Sequence, residues 1–292
     1  MNKAEFDNII KRNVVKKNGK DEFGYVIDGK TYKNYYTKEV FEKFKNTMEK
    51  SYSEYYKDYD IGTGSEFKEK KGKYGWMPPK MASVASSSRF CYLALRDGAQ
   101  ALGGDNVKFE YECIIEDIEA KTYPQLDAYI EESHTFVEAK CHEIFDSHKI
   151  KMSKKYEKYL TKDFGITLGE DQKNSIFEIP LSEFGIEKST SRFDIKQLLC
   201  HLIGIKSEKK RLEVDEVTLT YLFFKPKTND ENVNEQIDEV FEELTDEINK
   251  IFSNKHICRF ISNNNIHLNA VAEYSEIMEP LNSTNIIKIS IN

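Results

Sequence analysis

One stretch, residues 124–145 (PQLDAYIEESHTFVEAKCHEIF), constrains the fold more than any other part of the chain. Polar and apolar side chains alternate along it in two runs, and such alternation predicts two neighbouring β-strands, each with one apolar face. Glu138 and Lys140 share one face of the second strand, and Asp127 projects from the first. A tight connection between the strands brings Asp127 close to Glu138. The sequence therefore predicts that two carboxylates and a lysine converge at one place on a sheet.

The elements around this stretch follow the order helix, three strands, helix and strand. They are a helix at 82–102, strands at 107–114, 125–130 and 135–144, a helix at 193–205 and a strand at 217–224. Helical spacing of apolar residues also predicts a helix from Thr37 to about residue 59, and turn signals at Asn18-Gly19 and Asp28-Gly29 suggest a short hairpin. An acidic amphipathic helix precedes a weakly patterned tail that begins at His256. We expect an α/β protein with a mixed central sheet flanked by helices.

This order divides the chain into three segments. Residues 1–79 are an N-terminal helical and loop extension, residues 80–227 are the core, and residues 228–292 are a C-terminal acidic helix and tail. A chain of 292 residues, 39% of them hydrophobic and 32% charged, can bury a large core. The same composition excludes a disordered or fibrous protein.

Composition also excludes several functional classes. No apolar run approaches the roughly 20 residues of a membrane-spanning helix, and the first residues lack the apolar core of a secretory signal. We therefore expect a cytoplasmic protein that does not associate with membranes. The five cysteines stand far apart without the spacing of a zinc site, which favours reduced thiols over disulfide bridges or metal ligands.

The charge of the chain is unevenly distributed. A formal net charge of −7 argues against indiscriminate binding of polyanions. Residues 230–247 hold nine acids and no base, whereas residues 149–162 hold six lysines and one acid. Lys154, Lys155 and Lys158 in the second segment are therefore candidate contacts for a nucleic-acid backbone.

Other residues are candidates for contact with nucleic acid. Residues 68–80 mix lysines with the only tryptophan, a combination that can stack bases, although a solvated loop explains it equally well. Arg89 on the first core helix is a candidate phosphate contact, with a surface ion pair as the alternative. Gln197 and His201 lie at i and i+4 on the later helix, so both side chains can reach the site or a phosphate. A buried histidine satisfied by its neighbours is the alternative for His201.

Two carboxylates beside a lysine suit the hydrolysis of phosphate esters. Hard divalent cations such as Mg²⁺ take oxygen ligands, which Asp127 and Glu138 can provide. Such a cation withdraws charge from a phosphodiester and lowers the pKa of a bound water. Lys140 can orient that water or stabilise the developing negative charge. A surface cluster of ion pairs explains the same residues without any activity.

One pattern in the chain resembles the signature of the PD-(D/E)xK nucleases, the restriction-endonuclease-like superfamily. It consists of Asp127, ten intervening residues and then Glu138-Ala139-Lys140. The sequence around them resembles a bacterial subgroup of that superfamily, and KMASVASSSRFCYLAL and FDIKQLLCHLIGI resemble its flanking helices. The resemblance covers roughly residues 80–226. It departs from the signature in that Pro124 precedes Asp127 by three residues instead of adjoining it.

The resemblance implies a restriction-endonuclease-like core that cleaves nucleic acid with Mg²⁺, or with Mn²⁺ as a substitute. Asp127 and Glu138 would be metal ligands, Ala139 would offer its backbone carbonyl, and Lys140 would be the catalytic lysine. Glu110 on the first strand is a further candidate acid for the metal. The expected substrate is DNA, with RNA not excluded, and the expected setting is defence against foreign DNA. A homodimer would suit cleavage of both strands and is left open.

Two other interpretations belong to different classes of protein. A protein with the nuclease fold can bind nucleic acid as a scaffold without cutting it. The loss of a site residue would favour this interpretation. The three residues of the signature are all present. A structural protein with an accidental match would hold Asp127 and Glu138 apart. The placement of these two side chains in the folded chain is therefore the discriminating observation.

Overall fold

A computed structural model describes residues 1–61, 65–73, 75–116, 118, 123–168 and 176–290. Its α-helices are α1 (Lys3–Asn18), α2 (Lys38–Ser51), α3 (Ser53–Ile61), α4 (Ser87–Leu95), α5 (Ile195–Leu212), α6 (Glu231–Phe252) and α7 (Lys255–Asn264). Its strands are β1 (Phe23–Ile27), β2 (Lys30–Tyr36), β3 (Lys70–Gly72), β4 (Gly75–Met77), β5 (Val107–Glu112), β6 (Gln125–Ile130), β7 (Thr135–Lys140), β8 (Ile150–Ser153), β9 (Ile176–Ile179), β10 (Val217–Pro226), β11 (Ile266–Ser275) and β12 (Ile286–Lys288). Among the helices of these residues, none combines the length and apolarity needed to cross a bilayer.

A six-stranded mixed sheet in the order β12-β11-β10-β7-β6-β5 organises the protein. Neighbouring strands among β5, β6 and β7 run antiparallel, whereas β7, β10 and β11 run parallel to one another. The short strand β12 is antiparallel to β11. The mixed α/β architecture with a mixed central sheet, predicted from the sequence, is confirmed.

Helices cover both faces of the sheet around β7 and β10. Tyr221 and Phe224 point to opposite faces of β10, because side chains three positions apart on a strand alternate. The Phe224 ring packs against Phe90 of α4, with centroids 5.5 Å apart, whereas Tyr221 packs against His201 of α5. β7 is consequently buried on both faces, and only Lys140 at its end is partly exposed.

The N-terminal predictions are partly right. Thr37 caps α2 as expected, accepting a hydrogen bond from the backbone N of Val40, but the predicted single helix is divided at Tyr52, whose backbone is not helical. The hairpin turn lies at Asp28-Gly29, where both residues have positive φ, the backbone that a tight hairpin turn requires. The other turn signal, Asn18-Gly19, ends α1 instead, a helix that the sequence analysis did not predict.

The helix predicted at 82–102 is shorter than expected. Ser86 caps α4 by accepting a hydrogen bond from the backbone N of Arg89, so the helix begins only at Ser87. It ends at Leu95, and Gly98 then takes a φ of 95°, which a continuing helix does not allow.

The C-terminal tail was predicted wrongly. Residues after His256 continue α7, and β11 then pairs in parallel with β10 over all ten residues from Val217↔Ile266 to Pro226↔Ser275. The central sheet therefore extends beyond residue 227, where the core was expected to end.

Glu273 of β11 is a fully buried acid within this added part of the sheet. Its Oε1 accepts hydrogen bonds from Ser275 and the backbone N of Glu279, whereas its Oε2 is buried without a hydrogen-bond partner. Burial raises the pKa of this carboxyl to about 8. The folded protein therefore holds a proton there that the unfolded chain releases at lower pH.

Glu273→Gln is expected to stabilise the protein in alkaline solution and to leave it nearly unchanged near pH 5. A carboxyl with a raised folded-state pKa destabilises the fold progressively as pH rises from its ordinary pKa of 4.5 to about 8. The gain on substitution should reach at most about 5 kcal/mol above pH 8. Urea unfolding of both proteins from pH 5 to 9 measures it, with the exposed Glu276→Gln as control. A gain that does not depend on pH would contradict this account.

Candidate active site

The three residues of the predicted signature meet at one edge of the central sheet, where β6 begins and β7 ends. The backbone pairing between these antiparallel strands runs only as far as Ala128↔Val137. Asp127, the residue before Ala128, uses its side chain instead, because its Oδ2 accepts a hydrogen bond from the backbone N of Ala139 at 2.7 Å. The Asp127 carboxylate is thus held directly against the strand that carries Glu138.

A cleft of about 420 Å³ opens at this edge. Asp127, Glu138 and Lys140 all line it, so the structure brings the three residues of the signature together. Glu110 of β5 and Gln197 of α5 line the same cleft. The placement expected of an accidental match, with Asp127 and Glu138 apart, is not the one observed.

Lys140, Glu138 and Gln197 form a closed hydrogen-bonded triangle. Lys140 Nζ donates to Glu138 Oε1 at 2.6 Å and to Gln197 Oε1 at 2.7 Å, and Gln197 Nε2 donates to Glu138 Oε1 at 2.8 Å. The amide of Gln197 therefore orients both charged groups. Its side chain reaches the site, as the helical spacing of α5 predicted. Burial lowers the pKa of Lys140, but nearby carboxylates, Glu138 foremost, outweigh it and raise the pKa overall. Lys140 is consequently a protonated cation at neutral pH.

The acids of the cleft repel one another. Burial, together with the charges of Glu138 and Glu110, raises the pKa of Asp127 well above its ordinary value. Burial, followed by the charge of Glu66, raises the pKa of Glu110 to about 8. Burial and mutual repulsion thus outweigh the lysines of the cleft and disfavour the charged form of both acids. A bound cation would relieve that repulsion.

Glu110 reaches the cleft through an unusual backbone. Its φ of 51° lies in the left-handed region, which costs a residue other than glycine roughly 1–2 kcal/mol. Phe109 before it packs against Tyr59 of α3, whereas Tyr111 after it packs against Phe136 on the other side of the sheet. Phe109 and Tyr111, two positions apart, therefore lie on opposite faces of the sheet, because the strand twists at Glu110 instead of alternating regularly.

Glu66 is an acid of the cleft that the sequence analysis missed. It belongs to the segment before β3, is only 3% exposed, and accepts a hydrogen bond from Lys80 Nζ at Oε1 over 2.8 Å. Its Oε2 is buried with no hydrogen-bond partner. An unsatisfied buried polar atom is costly, about 1–3 kcal/mol and more when charged, so it needs an explanation such as a ligand. No local motif marks Glu66, because its neighbours in sequence lie in a loop.

His142 is a further residue of the cleft. It follows β7 and lines the cleft, and its Nδ1 lies 2.6 Å from Oδ1 of the buried Asp7 on α1. Nδ2 of Asn34 donates to the other oxygen of Asp7 at 3.3 Å. The N-terminal segment thus supplies Glu66 to the cleft. Its Asp7 also supports His142, which belongs to the core segment.

The donor set suits a hard divalent cation that keeps part of its water shell. In the described parts of the chain, no three His, Cys, Asp or Glu side chains are gathered closely enough to form a ready-made metal cage. Mg²⁺ rarely uses such cages and is usually held by one or two carboxylates together with waters and substrate phosphates. Three features of the cleft fit that kind of binding: its carboxylate oxygens, its excess of negative charge and the Oε2 of Glu66, which has no hydrogen-bond partner.

The other predicted contacts are placed differently. Arg89 is buried between the rings of Tyr36 and Phe44, 4.0 and 4.4 Å from their centroids. The prediction that it contacts phosphate is therefore corrected, because its guanidinium is part of the core. His201 is buried with Nε2 3.7 Å from Glu138 Oε2, and burial lowers its pKa, so it supports Glu138 as a neutral ring.

The three lysines predicted to contact a nucleic-acid backbone lie in different surroundings. Lys154 lies over the ring of Phe177 and Lys158 over that of Tyr159, whereas Lys155 lines a second cleft beside the first.

The fold and the cleft define a mixed α/β protein with a lysine–carboxylate site at the edge of its central sheet. Comparison with protein-family models, with curated proteins and with solved structures found no match. The function is therefore inferred from the geometry and charge of the cleft.

Proposed function

We propose that this protein is a Mg²⁺-dependent nuclease of the PD-(D/E)xK class that hydrolyses phosphodiester bonds of DNA. The observation that carries the proposal is the meeting of Asp127, Glu138 and the protonated Lys140 in one cleft, on adjacent strands. A surface cluster of ion pairs would be exposed to solvent, but here the Glu138 and Lys140 side chains are only 6% and 14% exposed. Burying such charges is expensive, which favours a functional reason for keeping them.

The order of the elements supports a restriction-endonuclease-like core. The elements α4, β5, β6, β7, α5 and β10 occur in the order helix, three strands, helix and strand, with the separate β8–β9 pair inserted between β7 and α5. In the sheet, β7 lies between β6 and β10. The proposed core is the part of the sheet that these strands form, and β11 and β12 extend it. The segment before α4 adds Glu66 and Lys80 to the same cleft.

The proposed chemistry divides among the residues of the cleft. Asp127 and Glu138 would hold the cation, with the carbonyl of Ala139 and the carboxylate of Glu110 as further candidate ligands. When bound, Mg²⁺ or Mn²⁺ supplies neutralisation of phosphate charge and a lowered pKa for a bound water. Lys140 donates hydrogen bonds from a fixed position, so it can orient a water or stabilise negative charge that develops on the phosphate. Gln197 holds the Lys140 ammonium in that position.

The decisive experiment incubates the purified protein with linear, circular and single-stranded DNA and with RNA, in Mg²⁺, in Mn²⁺ and in chelator. Cleavage that requires the metal supports the proposal, and linearised circles identify an endonuclease. A foreign, unmodified DNA cut in preference to host DNA would support a role in defence. DNA bound but intact in every condition would favour the alternative, a nuclease-fold protein that binds without cleaving.

Glu66→Gln is expected to lower the affinity for Mg²⁺ or the rate of cleavage by about 10- to 100-fold. Gln keeps the shape and can still accept the hydrogen bond from Lys80, but it removes the anionic oxygen that lacks a partner. Titration of Mg²⁺ in the cleavage assay measures the effect. The control is Glu69→Gln, because Glu69 binds Tyr25 and Lys38 outside the cleft. Equal behaviour of the two variants would refute a role of Glu66 in the site.

A further inference from the structure

A second cleft, of about 520 Å³, adjoins the candidate active site. Gln125 and Gln197 line both clefts, so these two side chains form the boundary between them. The first cleft is rich in acids. Of the residues that the structure describes, three lysines line the second cleft: Lys151, Lys155 and Lys196.

The positive charge of the second cleft is only weakly compensated. Among the described residues that line it, Asp194 is the acid, and its carboxylate is already engaged by His148 at 3.4 Å and by the backbone N of Gln197 at 3.0 Å. Lys151 lies 3.6 Å from Glu178, but both side chains are more than half exposed, and such pairs contribute little. An anion entering this cleft therefore meets a net positive wall.

Aromatic side chains complete the cleft. Tyr123 and Tyr156 both line it, and Tyr123 is held in place by a hydrogen bond from its hydroxyl to the backbone O of Ile118 at 3.2 Å. Aromatic rings beside cations suit nucleotides, because every base has a face that can stack and every nucleotide carries a phosphate. The volume falls within the roughly 300–1,000 Å³ of typical ligand pockets.

We infer that this basic cleft, defined by Lys151, Lys155 and Lys196, binds the nucleotide next to the scissile phosphate. The inference rests on the proposed nuclease function and specifies how its substrate is held. The acid-rich cleft repels a phosphate backbone, so the strand must be retained by positive charge nearby. The basic cleft is the neighbouring surface that offers this charge and is joined to the active site through Gln125 and Gln197.

The test compares two triple variants with the same change of charge. The basic-cleft variant carries Lys151→Ala, Lys155→Ala and Lys196→Ala. The control carries Lys50→Ala, Lys57→Ala and Lys108→Ala, exposed lysines of α2, α3 and β5 that are not among the residues lining either cleft. Unfolding midpoints establish that both variants are folded.

Binding of a fluorescent single-stranded DNA, measured in chelator at several salt concentrations, reads out phosphate contacts without cleavage. Loss of three contacts should reduce the slope of log affinity against log salt by about 2 in the basic-cleft variant. The control should keep the wild-type slope. Equal slopes for the basic-cleft variant and wild type would overturn the inference.

A second measurement locates the contact on the substrate. An uncharged methylphosphonate is placed at successive positions around the cleavage site, and KM is measured in Mg²⁺. In wild type the substitution next to the cut should raise KM, and in the basic-cleft variant the same substitution should cause no further increase. Independent, multiplicative effects of the two changes would also overturn the inference.

These results separate the inference from the proposed function. Cleavage by wild type with an unchanged KM in the basic-cleft variant removes the inference and leaves the nuclease. Salt-dependent binding lost only in the basic-cleft variant, but no cleavage by wild type, supports the cleft as a nucleic-acid site and removes the nuclease. A wild-type protein that neither binds nor cleaves removes both.

Discussion

Lys140→Ala is expected to lower the rate of DNA cleavage by about 10²- to 10³-fold while Mg²⁺ still binds. The substitution removes the one cation of the Lys140–Glu138–Gln197 triangle but leaves both carboxylates in place. Extra Mg²⁺ should therefore not restore activity. Paired titrations of metal binding and strand cleavage, in wild type and variant, measure the two effects separately.

Two further variants keep this prediction interpretable. Lys140→Ala leaves the buried Glu138 without its cationic partner and so destabilises the protein, whereas Lys140→Gln retains a hydrogen-bond donor. Both should lose cleavage if the positive charge is what matters. Lys108→Ala is the matched control, since Lys108 is an exposed strand lysine outside the cleft. A wild-type rate in a folded Lys140→Ala protein would remove the role proposed for this residue.

Asp127→Asn and Glu138→Gln are expected to lower metal affinity and cleavage together. Each removes an anionic oxygen, so the loss of Mg²⁺ affinity should exceed the roughly 10- to 100-fold that follows loss of an outer-shell partner. Higher Mg²⁺ should restore part of the activity of either single variant. Calorimetric titration of the single and double variants with Mg²⁺ measures the affinity. Undiminished binding in the double variant would show that the cation, if bound, lies elsewhere.

The same substitution of Asp127 should have the opposite effect on stability. Burial and neighbouring acids raise the pKa of Asp127, so its charged form opposes folding once the pH exceeds the ordinary carboxyl range. Asp127→Asn removes that charge, and its side-chain oxygen can still accept the hydrogen bond from Ala139. We therefore expect a higher unfolding temperature than wild type at pH 8 in chelator. DNA binding should persist and can strengthen, because a carboxylate that repels the backbone is gone.

The sequence by itself determined the two strands that carry the site. Alternation along β6 and β7 is a local property, and a tight connection leaves few ways to pair two neighbouring runs. The convergence of Asp127, Glu138 and Lys140 was therefore predictable, as was the reach of Gln197, which follows from helical spacing on α5. The mixed sheet was predictable for the same reason, since most of its strands are strongly patterned.

Only the tertiary structure decided the remaining parts of the site. Glu66 and the pair of His142 with Asp7 join residues far apart in sequence, which no local pattern records. The left-handed backbone of Glu110 reverses the alternation of side chains along β5. The strand propensities of the residues do not predict this reversal.

Partners that are distant in sequence likewise fix the environments of several other residues. Arg89 appeared to be a surface cation until two aromatic rings from other elements enclosed it. β11 lacked a strand pattern, yet it pairs with β10 along its full length. Burial depends on what packs against a residue, and for these residues the packing partner comes from elsewhere in the chain.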